Sequence, residues 1–179
     1  MNLKGKKIEL RELREGDMVL LNKLLNDPEI AKNVVGWSKP ITMYEQMTWF
    51  HNLHDDSNIR YTIADVKDLD LAYGTAIISD IDFKNGSCGI NIKIDNAFQR
   101  KGFGKESLSL LINYIFNELN LNRINAEILE YNIGSQKAFE SLGFIKEGEK
   151  RQAIYKDGKY NDLYIYSLIR EDYCREGNR

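Results

Sequence analysis

The sequence predicts an α+β domain, a mixed and mainly antiparallel β-sheet with helices on both faces. Three observations carry this. Residues 60–94 read as three successive strands, "RYTIADV", "LAYGTAIISDIDF" and "GSCGINIKI", and the Asn85-Gly86 pair before the third is a strong hairpin signal. Leu108, Leu111, Ile112, Ile115, Phe116 and Leu119 recur at i, i+3, i+4, i+7 spacing, the stripe of an amphipathic helix that begins at Gly104 or Lys105. Around these, the order strand, helices, three strands, helix, strand, helix, hairpin is that of a mixed sheet packed against helices.

Each element has a local reason. Ile8, Leu10 and Leu13 open in alternation with charged neighbours, a half-buried strand that "REGD" interrupts. Asp17 is a candidate N-cap for a helix carrying Leu20, Leu21, Leu24 and Leu25, and Pro28 stops that helix near Asn26. Residues 31–56 carry weak strand character, a turn at Gly36 to Pro40 and a short helix from Met43 to Leu53. In the third central strand Cys88, Ile90, Ile92 and Ile94 share one face, while Ser87, Gly89, Asn91 and Lys93 share the other. "NRINAEILEY" reads as a strand, "SQKAFESLGF" as a short helix closing at Gly143, and the remainder as a hairpin with "KDGKY" at its turn.

The 179 residues, 42% hydrophobic and 11% aromatic, are enough for one core and suggest a single domain over 1–179. Lys plus Arg number 25 against 27 Asp plus Glu, so no overall positive field draws the chain to nucleic acid or to an anionic membrane. No apolar run approaches the roughly 20 residues that span a bilayer, and "MNLKGKKIELREL" lacks the apolar core of a signal peptide. Cys88 and Cys174 stand apart without ligand spacing. The expectation is a reduced, cytoplasmic protein with no metal; His51 and His54, spaced HxxH, lack a third ligand and read as surface residues.

The stretch "QRKGFGKES", Gln99 to Ser107, puts two glycines and three basic side chains at the start of the long helix. A dinucleotide fingerprint needs a third glycine where Ser107 stands, and no early βαβ unit precedes it. Lys101-Gly102-Phe103-Gly104 opens like an RNA-recognition signature, but Lys105, Glu106, Ser107 and Leu108 occupy the places of its aromatics. A tight strand-to-helix turn remains open as a purely structural reading. Against it stands the electrostatics: N–H groups of Arg100 to Lys105 lie where a helix leaves donors unpaired and its dipole favours an anion, and a pyrophosphate fits that place.

These residues resemble the acyl-CoA pyrophosphate loop, (Gln/Arg)-x-x-Gly-x-(Gly/Ala), of the GNAT superfamily of N-acetyltransferases, with Gln99, Gly102 and Gly104 at its defining places. A second element resembles the family at the right distance: in "EYNIGSQKAFESLGF", Asn132 and Ser135 match the Asn-x-x-Ser/Ala that opens the next helix, and Leu142-Gly143-Phe144 match its close. "KIELREL" and "YKDGKYNDLYIY" are similar to the branch containing ribosomal-protein N-terminal and spermidine acetyltransferases. The resemblance covers essentially the whole chain. It implies splayed central strands holding acetyl-CoA, with backbone groups of Ile92 and Ile94 pairing with pantetheine, Gln99, Arg100, Lys101, Gly102, Phe103, Gly104 and Lys105 around the pyrophosphate, and Asn132 on the pantetheine arm. Taken alone, Asn132 also reads as a helix cap.

The chemistry so implied is direct acetyl transfer to a primary amine, which must be neutral to attack. A polyamine or lysine-like nitrogen of pKa ~10.4 must lose its proton at pH 7 against about 4.6 kcal/mol; an N-terminal α-amine of pKa ~7.8 needs only about 1 kcal/mol. Glu127, five residues before Asn132, matches the proposed general base of N-terminal ribosomal-protein acetyltransferases, although it also reads as a solvated strand carboxylate. Phe139 stands where many relatives carry a tyrosine that protonates the departing thiolate; Ser135 or Tyr131 are the candidates to replace it, and a thiol of pKa ~8.5 leaves at pH 7 with a deficit near 2 kcal/mol. Trp37, Tyr44, Tyr155 and Tyr160, with Asp162, are the candidate acceptor pocket. The expected acceptor is a protein or peptide N-terminal α-amine. Alternatives are a polyamine, aminoglycoside or amino sugar, or a catalytically weak acyl-CoA-binding regulatory module; a homodimer is compatible with each.

Overall fold

The structure, a computed structural model, describes residues 1–36, 39–54 and 56–175. The elements are β1 (Leu3–Lys4), β2 (Ile8–Glu12), α1 (Met18–Asn26), α2 (Pro28–Asn33), α3 (Met43–His51), β3 (Ile59–Asp65), β4 (Ala72–Asp82), β5 (Ser87–Ile94), α4 (Phe103–Asn117), β6 (Arg123–Leu129), α5 (Ile133–Glu140), β7 (Ile145–Lys156), β8 (Lys159–Ile169) and α6 (Arg170–Arg175). Among the described residues the strands form one eight-stranded sheet in the order β1-β2-β3-β4-β5-β6-β8-β7. Every neighbouring pair is antiparallel except β5 and β6, which run parallel at its centre. No helix is long and apolar enough to cross a membrane among the described residues.

Alternation along β5 sorts the helices onto two faces. Ile90, Ile92 and Ile94 point toward α4, so close that a Cβ on Gly104 would lie 3.2 Å from the tip of Ile92. The α4 stripe of Leu108, Leu111, Ile112, Ile115 and Phe116 is buried against that face, as its helical spacing predicts. Asn91 and Lys93 point the other way, on the face where Thr75 and Ile77 meet α1, α2 and α3.

The α1–α3 face differs from its sequence reading at two points. Asp17 occupies the N-cap position of α1 but its side chain makes no cap bond there; it is buried, its two oxygens accept from both terminal nitrogens of the buried Arg11 at 2.7 Å, and it also accepts from Arg14 N and Thr62 Oγ1. Burial alone would raise the Asp17 pKa, but these donors outweigh it and hold the carboxyl below its ordinary value. Pro28 ends α1 as expected but also begins α2, with Asp27 as N-cap accepting from Glu29 N and Ile30 N. Asp-Pro-Glu is a start signal as well as a stop, because proline needs no partner for an N–H at the first helical position.

Candidate active site

The sheet is split at its centre. β5 and β6 stay in register only at Ser87↔Arg123, Cys88↔Ile124 and Gly89↔Asn125, after which β5 follows β4 as far as Ile94↔Gly74 and β6 follows β8 as far as Leu129↔Leu163. Where they part, Asn125 Nδ2 donates to Cys88 O at 3.2 Å, a side chain taking over from the backbone ladder. Asp95 N donates to Tyr73 O, so the odd residues of β5 turn their backbone groups toward β4. The backbone groups of Ile92 and Ile94 therefore face the gap. The gap is a cleft of about 360 Å³ lined by Ile90–Ile94, Gln99, Ala126–Ile128, Asn132, Ser135, Phe139 and part of α2.

At the mouth of this cleft the glycine loop meets α4. Gly102 is the N-cap of α4 at φ +88°, a conformation that favours glycine, and Arg100 also has positive φ, 60°. A Cβ on Gly102 would meet nothing nearer than Lys7 Nζ at 4.0 Å, so the glycine answers to backbone conformation. Gly104 answers to the close approach of Ile92 and Ile94. Among the described residues, the N–H groups of Phe103, Gly104 and Lys105 find no backbone acceptor, since the first helical bond is Glu106 N to Gly102 O. Arg100, Lys101 and Lys105 are exposed around them.

The neighbours of this loop are firmly held. Gln99 turns its amide back to Ile94 O (3.1 Å) and Asn96 Oδ1 (2.8 Å), bracing the end of β5, and Phe103 stacks on Tyr73 at 4.4 Å. Glu106 accepts from Lys6 N and Lys7 N, which brings Lys7 to the loop. Lys7 was not foreseen, because only the β1–β2 turn brings it there.

On the other bank, Asn132 caps α5 through Ser135 N at 3.1 Å and donates to Asn33 O at 3.1 Å. Ser135 lines the cleft beside Phe139, which is buried edge-to-face on Phe144 at 4.9 Å. Glu127 lines the cleft and receives Lys150 Nζ at 2.5 Å. Both partners are substantially exposed, a setting in which an ion pair is worth under about 1 kcal/mol. Tyr131 does not line the cleft; its hydroxyl donates to Lys32 O at 2.6 Å, and its pKa is raised, first by burial and then by Asp157 and Glu130.

Behind the cleft, on the α1–α3 face, lies a second cavity of about 500 Å³. Leu21, Leu24 and Leu25 of α1, Ile41, Trp49 and Ile77 contribute large apolar side chains to its wall, and it shares Val34, Val35, Ile77 and Lys93 with the cleft. The two spaces therefore adjoin along these four residues. Of the residues expected to form an acceptor pocket, Tyr44 is 80% exposed and its helix neighbours Glu45, Gln46 and Trp49 line the cavity instead. Tyr155 and Tyr160 pack on each other at 5.1 Å in the β7–β8 hairpin and line neither space, nor does Asp162. Trp37 lies outside the described residues. The hairpin acts indirectly: Lys156 Nζ donates to Ala31 O and Gly36 O and so ties down the segment that walls the cavity. Among the described residues no cluster of three His, Cys, Asp or Glu side chains is placed to hold a metal.

The acetyltransferase (GNAT) domain model matches residues 7–145. The chain is a GNAT N-acetyltransferase. It is 30% identical over 170 residues to p20 of Bacillus licheniformis, an uncharacterized N-acetyltransferase, covering 94% of this chain and 96% of that one. It is 24% identical over 169 residues to the spermidine N(1)-acetyltransferase of Vibrio cholerae, covering 93% and 95%. The structure of a spermidine N-acetyltransferase from Vibrio cholerae in complex with CoA and spermine superposes with a TM-score of 0.87 at 22% identity, over 95% of this chain and 99% of that one. At that identity the likeness establishes the GNAT fold, and the family uses acetyl-CoA.

Proposed function

We propose that this GNAT enzyme transfers the acetyl group of acetyl-CoA directly to a primary amine on an apolar body, the N-terminal α-amine of a peptide or protein being the leading case. The observation that carries this is the acceptor cavity: a largely apolar wall that, among the described residues, bears the ammonium groups of Lys39 and Lys93 and the carboxylate of Glu45. Glu45 is itself engaged by Thr42 N and Thr42 Oγ1. A polycation entering there meets like charges and little to neutralise it, whereas an apolar residue with one amine does not.

The chain's residues fit acetyl-CoA on the donor side. Unpaired N–H groups at the start of α4, with Arg100, Lys101 and Lys105 around them, suit the pyrophosphate. The open backbone edge of β5 at Ile92 suits the amides of pantetheine, and Asn132 stands across the gap. Acetyl-CoA supplies a thioester at the meeting of the two spaces. There Glu127 takes one proton from the ammonium, the neutral amine attacks so that the C–N bond forms as the C–S bond breaks, and Ser135 gives its proton to the departing thiolate and is recharged by the second proton that the new amide nitrogen releases. Tyr131 supports the wall through Lys32 O rather than reaching the reacting atoms.

The test is CoA thiol release from acetyl-CoA, with a no-acceptor blank, across peptides of varied N-terminal residue, spermidine, an aminoglycoside and an amino sugar. Higher kcat/KM for peptides with an apolar first residue is expected. A second reading, polyamine acetylation, is favoured by the similarity to spermidine acetyltransferases; spermidine outpacing every peptide would establish it and overturn the first.

A further inference from the structure

Lys93 stands where the donor cleft and the acceptor cavity meet, lining both. Three other lysines near the cleft are engaged: Lys23 with Asp95, Lys150 with Glu127, Lys156 with the carbonyls of Ala31 and Gly36. The Lys93 ammonium has no such partner among the described residues, and burial alone pushes its pKa down. A partly desolvated cation without a counter-charge carries a cost, and that cost falls when a ligand brings an oxygen acceptor to it. Along the sheet from Lys93, beyond Thr75 and Ile77, the cavity is walled by Leu21, Leu24, Leu25 and Ile41, with Arg60 over the Trp49 ring at 5.8 Å. Its volume of about 500 Å³ is ample for one large side chain.

The geometry points to a specificity-determining role for Lys93: it binds the oxygen on the carbon next to the acceptor α-amine, a carboxylate or the first peptide carbonyl, while an apolar side chain fills the cavity behind. This inference rests on the α-amine reading above and narrows it to acceptors built like an apolar α-amino acid. Two sources share that chemistry, the free amino acid and the first residue of a peptide. Both put an amine at the junction, an oxygen on Lys93 and the side chain among the leucines of α1. An amine of the same body without the oxygen leaves Lys93 unsatisfied, and spermidine adds further positive charge beside it.

The experiment compares kcat/KM for leucine, leucinamide, a leucyl peptide, 3-methylbutylamine (leucine without its carboxyl group) and spermidine in the native enzyme, Lys93→Met and Lys93→Arg. Differences in the amines' own basicity cancel when each acceptor is compared across variants. The preference for the oxygen-bearing acceptor over 3-methylbutylamine is expected to fall roughly 10- to 100-fold in Lys93→Met and to be largely kept in Lys93→Arg. A loss confined to free leucine identifies the carboxylate as the ligand; a loss confined to leucinamide and the peptide identifies the carbonyl. An unchanged preference in Lys93→Met, with the amines still acetylated, overturns the role of Lys93 and leaves the α-amine reading standing. Acetylation of spermidine alone overturns both. An independent check needs no variant: 4-methylpentanoate, which is leucine without its amine, should compete with the acceptor at least about tenfold more strongly than 4-methylpentanamide if the anion is preferred. Equal or no inhibition by the two, together with an unchanged Lys93→Met preference, removes the proposal.

Discussion

On the donor side of the cleft, the loop takes its shape mainly from residues near it in sequence: Gln99 reaches Ile94 and Asn96, Gly104 lies on Ile92, and positive φ at Arg100 and Gly102 sets the turn, with Glu106 and Phe103 then anchoring it to Lys6, Lys7 and Tyr73. On the acceptor side the contacts are distant in sequence. Asp17 accepts from Thr62, Asn22 and Asn26 donate to Ile41 O, Tyr131 reaches Lys32, and Lys156 reaches Ala31 and Gly36. A cofactor-binding wall set by local backbone conformation can stay constant while the acceptor wall is rebuilt by changing remote side chains. That division suits a family in which one acyl donor serves many amines.

The largest effect is expected at the seam between the two sides. If Glu127 takes the proton, Glu127→Gln lowers kcat by about 10²- to 10⁴-fold with little change in acetyl-CoA affinity; steady-state kinetics showing less than a tenfold loss would move the base to water. Next comes the acceptor scaffold, where Asp17→Asn leaves Arg11 buried without its counter-charge and should cost about 3–5 kcal/mol in urea denaturation. The same pair predicts a pH dependence. Because the folded Asp17 pKa lies below its unfolded value, its contribution is complete above roughly pH 4 and is lost as pH falls through the folded value. Between pH 5 and 2 the native chain should therefore lose more stability than Asp17→Asn does.

A donor-side change should act differently. Gly102→Val forces a β-branched residue to φ +88°, a local strain of about 1–3 kcal/mol, and should weaken acetyl-CoA binding at least tenfold by calorimetry while the acceptor KM moves little. Intact binding in that variant would detach the loop from the cofactor. The smallest effect is expected from Phe139→Tyr, which places a phenol beside Ser135 at the cost of repacking against Phe144. A gain in kcat of a few-fold below pH 8, where the thiolate most needs a proton, would show that Ser135 had been an incomplete donor.

The legible parts of the site were those encoded over short spans. The Gln99–Lys105 loop lies at the start of α4 and Asn132 at the start of α5, because glycines, caps and helical periodicity are local signals. Tyr44 was singled out for its aromatic character, yet the turn of α3 presents Glu45, Gln46 and Trp49 to the cavity. Lys93 appeared in the sequence only as one of the polar positions of β5. Nothing in its neighbours in the chain indicates that the strand beside it turns away and leaves it between two cavities.

The amino-acid sequence by itself determined the main order of strands and helices, the buried stripe of α4, the glycine turn ahead of that helix and the cap at Asn132, since each depends on side chains or dihedral angles within a few residues. Only the tertiary structure decided the parting of β5 from β6 after Gly89, the burial of Arg11 against Asp17, the adjacency of the two cavities and the placing of Lys93 between them. These depend on which distant segments compete for the same space and the same hydrogen-bonding groups, and that competition is resolved only when the chain closes on itself.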